Sequence, residues 1–385
     1  MIEEHEFLMP EYYGDFRCKM GACRSACCEG WPIKISLADY FRLEGEECSD
    51  ELKKRIDKGV RALLHPTPDE YAEIVHDYEG KCYMRDVDGK CLVHNELGEE
   101  ALSMVCKLYP RGIRIEPEYE CSCANSCEAV VEMLISNDEP IKFVRKKLKM
   151  DMPSYTRRAV FLTFDRELEI RQKLTAILQN RSIRLTQRLE ILGFALEELN
   201  NALKEKTKEK IKEFLDKKYV VYKDTKVVKN DLTFGLTIMK NLMEVMDDRS
   251  TSIRKYGQEA LEYFSQDNDI KRYDEARASF ESKFPKWEIW LEKLLVNHMF
   301  FQQFPFQDRK ESPVEEFIAI SSVYATIRFL GIGLILCETT KNDFVDMVSA
   351  LFRLVEHTNY DRYSVNILQQ LGIDNIEKTF SLIAL

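Results

Sequence analysis

The distribution of cysteine constrains this chain more than any other feature of its sequence. Eleven of its twelve cysteines lie between Cys18 and Cys127, and the twelfth, Cys337, stands alone in an apolar run. The cysteine region is rich in glycine and in acidic residues, whereas the rest of the chain is close to neutral. Such polar surroundings do not supply a separate apolar burial site for each thiol. We therefore expect metal or cluster binding by the clustered cysteines, and treat Cys48 and Cys337 as core thiols.

The classes of protein that bear disulfides, span membranes or bind nucleic acid are disfavoured. The acidic start of the chain, Met1 to Glu6, has the wrong charge for a signal peptide. We therefore expect a soluble cytoplasmic protein with reduced thiols. The longest apolar run, Phe329 to Cys337, is too short to cross a bilayer. The net charge of −10 argues against phosphate-rich partners.

The spacing of the cysteines leaves two kinds of metal centre open. Structural zinc sites commonly use Cys-x2-Cys pairs, and the sequence has none. The neighbouring pair Cys27-Cys28 is awkward for one tetrahedral zinc ion, because adjacent side chains diverge. Thiolate ligation also suits an iron–sulfur cluster. Cys23-x3-Cys27 is followed at once by Cys28, so the Cys-x3-Cys-x2-Cys motif of radical enzymes is absent. On spacing alone, both an iron–sulfur cluster and zinc stay open.

The periodicity of apolar residues predicts a mainly α protein. Residues 1–135 are expected to form a small irregular cysteine-cluster domain, and residues 136–385 an all-α domain. Leucines from Leu185 to Leu203 recur at four-three spacing, which indicates a core helix or, alternatively, a dimerising coiled coil. The basic stretch Lys142 to Lys149 is read as a linker or a surface helix. Further helices are predicted at Leu37–Leu43, Asp50–Leu64, Ala129–Ile135, Leu232–Met246, Ile253–Ser265, Ile270–Phe280, Trp287–Gln303, Pro313–Cys337, Asn342–Thr358 and Val365–Leu371.

Several motifs along the chain resemble one enzyme family. They include Tyr12-Tyr13-Gly-Asp-Phe-Arg-Cys18, the run from Cys23 through Trp31 to Ile35, the block Leu102 to Arg111, and Ser126-Cys127-Glu128. Weaker similarity follows in Leu291 to Phe306 and in Phe352 to His357. Together these motifs resemble the flagellin lysine-N-methylases, and the first third also resembles the broader zinc- or iron-chelating cysteine-cluster domains.

The resemblance implies a bacterial enzyme that methylates lysine side chains of flagellin with S-adenosylmethionine. It also implies a [4Fe-4S] cluster. Cys121 and Cys123 are additional to the family pattern, Cys48 does not match it, and Glu128 stands where the family commonly has proline. The cysteines that match are Cys18, Cys23, Cys27, Cys28, Cys82, Cys91, Cys106 and Cys127.

The methyl-transfer residues are harder to assign. Methylation needs the lysine side chain as a neutral amine. Because the ordinary pKa of lysine is about 10.4, the enzyme must favour the uncharged form by burial or with a base. No Gly-x-Gly-x-x-Gly loop is present, and Gly331-x-Gly333 is interpreted as close helix packing. Tyr109 and Arg111, beside Cys106, are candidates to orient the substrate or to support the cluster. Glu356 and His357 are candidate proton acceptors, with a structural role as the alternative.

A second class of function stays open on the residues alone. Cysteines that hold zinc or iron, followed by helices that bind a partner, would make a non-catalytic interaction module. Electron transfer is less favoured, because no flavin or nicotinamide motif is visible.

Overall fold

The computed structural model describes most of the chain. The described residues are 2–19, 22–24, 33–78, 80–115, 118–151, 166–219, 231–247, 251–265, 269–307, 311–336 and 338–385. The chain divides into two compact units, one of residues 1–130 with 143–157 and one of residues 131–142 with 158–385. The first unit contains small sheets and the second is built of helices, which confirms the predicted mainly α fold. The predicted domain boundary at 135/136 stays a prediction.

A four-stranded sheet joins the start of the chain to a much later segment. Its strands are β1 (Ile2–Pro10), β5 (Arg111–Arg114), β6 (Glu120–Cys123) and β7 (Phe143–Asp151), in the order β5-β6-β1-β7. Strand β1 runs parallel to β6 and antiparallel to β7. The register of the second pair places Ile2 opposite Asp151 and Pro10 opposite Phe143. The whole length of β1 is therefore paired with β7.

A three-stranded antiparallel sheet forms a second small core in the first unit. Its strands are β2 (Ile33–Ile35), β3 (Val60–Ala62) and β4 (Ala72–Ile74), in the order β2-β4-β3. Helices α1 (Leu37–Gly45) and α2 (Asp50–Gly59) begin at serine caps, since the hydroxyls of Ser36 and Ser49 accept backbone N–H bonds. The short helices α3 (Leu92–Leu97) and α4 (Met104–Leu108) carry cysteines at or near their starts. Helix α5 spans Glu128–Ser136.

The second unit contains the remaining helices of the described chain. They are α6 (Glu167–Leu178), α7 (Leu185–Glu205), α8 (Lys208–Asp216), α9 (Leu232–Asp247), α10 (Thr251–Phe264), α11 (Asp269–Lys283), α12 (Trp287–Phe301), α13 (Pro313–Leu334), α14 (Lys341–His357), α15 (Tyr360–Gln370) and α16 (Ile376–Ile383). Leu189, Leu192 and Leu196 of α7 are fully buried within this single chain, which confirms the core-helix interpretation.

Helix α13 occupies the most buried position among the described helices. Gly331 and Gly333 allow close packing, because an added Cβ would lie 3.0 Å from the ring of Phe280 and 2.6 Å from the Cβ of Ala260 respectively. This confirms helix packing as the role of the Gly331-x-Gly333 motif. Among the described helices, α13 alone has the length and apolarity of a membrane span, and 89% of its most apolar window is buried in the protein.

Two local predictions were wrong. The basic stretch Lys142 to Lys149 lies in strand β7 from its second residue onward, because nine residues of β1 supply a ladder that local sequence does not reveal. The helix predicted over Asp50–Leu64 ends at Gly59, where an added Cβ would lie 2.6 Å from Tyr83, and the chain turns into β3. The structure also adds α3, α4, α6 and α16, which were not predicted. The C-terminal end of the predicted helix Pro313–Cys337 includes Cys337, which lies outside the described residues.

Candidate functional site

Most of the predicted ligands surround one cavity in the first unit. The cavity has a volume of about 310 Å³. Six of the eight predicted cysteines line it, namely Cys18, Cys23, Cys82, Cys91, Cys106 and Cys127. The other two, Cys27 and Cys28, lie outside the described residues. Residues from segments more than 100 positions apart thus meet at a single thiol-lined space.

Two copies of one turn place Cys82 and Cys91. The segments Asp77-Tyr-Glu-Gly-Lys-Cys82 and Asp86-Val-Asp-Gly-Lys-Cys91 share the pattern Asp-x-acid-Gly-Lys-Cys at nine-residue spacing. In each, the aspartate side chain accepts the N–H of the lysine, at 2.9 Å for Lys81 and 2.8 Å for Lys90. Each glycine has a positive φ, +79° for Gly80 and +84° for Gly89, which favours glycine. We refer to these two segments as the twin turns.

Cys106 is positioned by the start of helix α4. The hydroxyl of Ser103 accepts the N–H of Cys106 at 3.3 Å and so caps the helix. The buried carboxylate of Asp39 accepts a hydrogen bond from the backbone N–H of Met104, the first residue of α4, at 3.2 Å. The guanidinium of Arg42 donates a hydrogen bond to Asp39 at 2.5 Å and another to the carbonyl of Leu102 at 2.7 Å. Local capping and one long-range carboxylate together fix this ligand candidate.

Cys127 lies immediately before helix α5, and its environment differs from that of an exposed thiol. Burial raises the pKa of Cys127 to about 11. Hydrogen bonds from the N–H groups of Val130 and Ala129 oppose that rise, while the nearby thiols of Cys23 and Cys18 add to it. A metal ion would displace the proton, since thiolates are the ligating form.

The cavity also has cationic and apolar walls. Lys19, Arg85 and Lys90 line it and place positive charge at its wall. Its apolar lining includes Ile33, Leu43, Ile74, Met84, Val93, Leu102 and Val105. This combination suits an anionic, thiolate-bound group in a largely dry space.

The three remaining cysteines described by the structure are placed differently. Cys121 and Cys123 lie in β6 and are buried, and burial raises the pKa of both thiols, that of Cys121 to about 12. Neither is among the cavity-lining residues, which agrees with their position outside the family pattern. Cys48 packs against the apolar core around the three-stranded sheet.

The side chains that line the cavity are of a type that binds metals through thiolates. In the described segments, no three His, Cys, Asp or Glu side chains converge closely enough to bind a metal ion. The cavity nonetheless brings six soft sulfur donors together and no described carboxylate into its lining. Soft thiolates select zinc and iron–sulfur clusters over hard cations.

The candidates Tyr109 and Arg111 take separate positions. Tyr109 lines the cavity, and its hydroxyl donates to the Oγ of Ser126 at 3.0 Å. Arg111 starts strand β5, and its guanidinium carbon lies 4.9 Å from the ring centre of Phe16 and 5.8 Å from that of Tyr13. These cation–π contacts hold Arg111 against the aromatic core beside the cavity.

The candidates Glu356 and His357 lie near the end of α14 in the second unit. Glu356 is buried, and its Oε1 lies 3.2 Å from Nδ1 of His298 on α12. The ring of Phe352 packs against His298, with centroids 5.3 Å apart. Burial, assisted by the charge of Arg353, lowers the pKa of His357 to about 4. Glu356 thus contacts the His298 ring, whereas burial keeps His357 neutral near pH 7.

Sequence reasoning missed three parts of this arrangement. The nine-residue repeat of the twin turns is visible in the sequence, but it is shorter than the repeats that define repeat proteins. The meeting of His298 with Glu356 joins two motifs that were interpreted separately. The ion pairs of Glu128 with Lys19 and Arg24 connect positions more than 100 residues apart, and no local signal predicts them.

Comparisons with known proteins place the chain in a family. A family model described as the FliB lysine N-methylase C-terminal domain matches residues 171–382, all of which belong to the second unit. Lysine-N-methylases of Salmonella choleraesuis strain SC-B67 and Salmonella typhimurium strain LT2 are each 26% identical to it over 141 residues, 36% of this chain and 35% of the relative. The alignments thus span about a third of the length of these curated relatives. No solved structure matches the chain. Because the family model covers more than half of its residues, the chain belongs to the FliB lysine N-methylase family.

Proposed function

We propose that this chain is a protein-lysine N-methyltransferase whose substrate is flagellin. Its membership of the FliB lysine N-methylase family is the observation that carries this proposal. The two Salmonella relatives named lysine-N-methylases support it. S-adenosylmethionine is the proposed methyl donor, and the cytoplasm is the proposed location.

We propose that Cys18, Cys23, Cys82, Cys91, Cys106 and Cys127, with Cys27 and Cys28, include the ligands of a [4Fe-4S] cluster. Their common cavity and the predominance of thiols among its donor side chains, which also include the imidazole of His94, support this assignment. A cluster of this kind supplies either electron transfer or a rigid anchor for the loops that bind it. Zinc is the second candidate, because its preference for thiolates is similar.

The transfer itself requires a neutral amine. The lone pair of the lysine Nζ attacks the methyl carbon of the donor, the carbon–sulfur bond breaks, and the extra proton leaves the nitrogen. Two groups are candidates to accept this proton. Tyr109 offers a hydroxyl within the cysteine cavity, and Glu356 offers a carboxylate paired with His298. Tyr109→Phe and Glu356→Gln separate them, because only loss of the true acceptor shifts the pH profile of kcat.

The acidity of the first third supports a basic substrate segment. Acidic surfaces attract lysine-bearing segments and accelerate encounter. Methylation of flagellin is therefore expected to slow as ionic strength rises, because salt screens exposed charges.

The decisive experiment is methyl transfer from labelled S-adenosylmethionine to purified flagellin. The chain is purified without oxygen and assayed for iron, labile sulfide and absorption near 400 nm. We expect label on flagellin lysines only with cluster-loaded protein. Folded, cluster-loaded protein that transfers no label would favour the alternative, a non-catalytic metal-binding interaction module. Colourless protein that contains stoichiometric zinc would favour a zinc site over an iron–sulfur cluster.

A matched pair of cysteine variants tests the ligand assignment. Cys106→Ser should lose metal, because Cys106 lines the cavity and matches the family pattern. Cys48→Ser should keep its metal content, because Cys48 is not among the residues that line the cavity. Equal metal content in the two variants would contradict the role of Cys106.

A further inference from the structure

A buried carboxylate connects two of the cysteine-bearing segments. Glu128 is the first residue of α5 and directly follows Cys127, and its side chain has no solvent exposure. Lys19 donates to its Oε1 at 2.6 Å, and Nη1 of Arg24 lies 3.3 Å from the same oxygen. Lys19 follows Cys18 by one residue, and Arg24 follows Cys23 by one residue. We call these three charged residues the Glu128 clamp.

The burial of Glu128 makes this pairing obligatory. A carboxylate withdrawn from water costs several kcal/mol unless opposite charges and hydrogen bonds compensate it. The side chains of Lys19 and Arg24 are only 26% and 35% exposed, so water screens the pairs weakly. The position of Glu128 in the first turn of a helix also favours negative charge. The clamp therefore differs from an exposed ion pair, which contributes little.

The clamp lies beside three of the cavity-lining cysteines in the sequence. Cys18, Cys23 and Cys127 all line the cavity, and the thiols of Cys18 and Cys23 are close enough to raise the pKa of Cys127. Between Cys18 and Cys23 the backbone N–H of Ala22 donates to the carbonyl of Lys19 at 3.1 Å. The ion pairs of Lys19 and Arg24 add long-range contacts between the neighbours of these two cysteines and Glu128, which follows Cys127.

We propose that Glu128 is a positioning residue for the cysteine centre. Through Lys19 and Arg24 it holds the Cys18–Cys23 segment against Cys127, and it does not itself bind the metal. This inference rests on the proposed metal-binding function of the cavity.

The test is Co²⁺ binding to the full metal-free chain under anaerobic conditions. Charge-transfer absorption between thiolate and cobalt reports binding directly and does not depend on methylation. We expect Glu128→Gln to weaken Co²⁺ binding by at least ~10-fold, as loss of groups that orient ligands does elsewhere. Glu118→Gln is the matched control, because Glu118 also pairs with an arginine, Arg145, at 2.6 Å in the same unit but away from the cavity lining.

A double-mutant cycle separates positioning from a general loss of stability. Lys19→Gln removes a partly exposed partner and should leave the chain folded even if Glu128→Gln does not. If both act through one ion pair, the losses of Co²⁺ affinity in Glu128→Gln and Lys19→Gln will not add in the double variant. Additive losses, or Co²⁺ binding by Glu128→Gln within about twofold of the unaltered chain, would overturn the clamp. An unaltered chain that shows no cobalt–thiolate absorption, and no bound iron or labile sulfide after anaerobic purification, would overturn the metal centre as well.

Discussion

Replacement of Glu292 by glutamine should destabilise the second unit strongly. Glu292 lies on α12 with no solvent exposure and accepts three charge-assisted hydrogen bonds. Two come from Arg181, both at 2.7 Å, and one from Arg188 at 2.6 Å. Arg188 is itself buried and also donates to the carbonyl of Leu178 at 2.9 Å. The network thus ties α12 to α7 and to the end of α6.

The size of the effect follows from what glutamine leaves behind. Its single oxygen can accept bonds from one arginine, while its amide group meets the other arginine as a second donor. Breaking a buried ion pair on one side costs about 3–5 kcal/mol, because the remaining charge stays buried. We take the lower limit, about 3 kcal/mol, since one acceptor remains. For a domain of this size that corresponds to a fall in Tm of about 6–12 °C.

Thermal unfolding followed by tryptophan fluorescence measures this effect, because Trp287 and Trp290 lie on the same helix as Glu292. Asp138→Asn is the control: Asp138 pairs with Lys286 at 2.6 Å, but both side chains are about half exposed. Its loss should lower Tm much less than loss of the buried network, because water screens an exposed ion pair. If Glu292→Gln lowers Tm no more than Asp138→Asn does, the buried network is not the stabilising element inferred above.

Two further predictions concern a turn and a histidine. Gly89→Ala should lower the free energy of unfolding in urea by about 1–3 kcal/mol, because φ is +84° and the new Cβ would lie 2.9 Å from Arg85. Gly80→Ala is the control for backbone strain alone, because φ is +79° there and the new Cβ would meet open space. Equal stability of the two variants and the unaltered chain would refute the predicted strain. The pKa of His357 is lowered from 6.5 to about 4, so the unfolded chain binds the extra proton and stability falls as pH drops through this window. His357→Gln should flatten the slope of unfolding free energy against pH there, and an unchanged slope would contradict the assignment.

The helical elements could be predicted because their causes are local. The leucines of α7 recur with the period of a helix, and Leu189 and Leu196 are fully buried as that period requires. Strand β7 could not be predicted in the same way. Its residues from Arg145 to Lys149 are mostly exposed and basic, and they are extended only because β1 pairs with them across about 140 positions.

In the candidate site, too, the features with local causes could be predicted and those with long-range causes could not. The resemblance of the cysteine pattern to one family selected, among others, the six described thiols that line the cavity. The hydrogen bonds and ion pairs that position these cysteines could not be predicted where they involve distant residues. Examples are the bond from the N–H of Met104 to Asp39 and the ion pair of Lys19 with Glu128. The pairing of His298 with Glu356 likewise depends on how α12 and α14 pack, which neither helix encodes alone.

The pairing of β1 with β7 has a consequence for synthesis on the ribosome. Strand β1 is made first, yet its nine-residue partner ends only at Asp151. Chains emerge at about 5–20 residues per second, so β1 waits for several seconds with an unfilled edge. An unpaired strand edge is a template for association with other chains. Nascent chains paused before residue 143 should therefore be more sensitive to aggregation and to chaperone depletion than chains paused after residue 151.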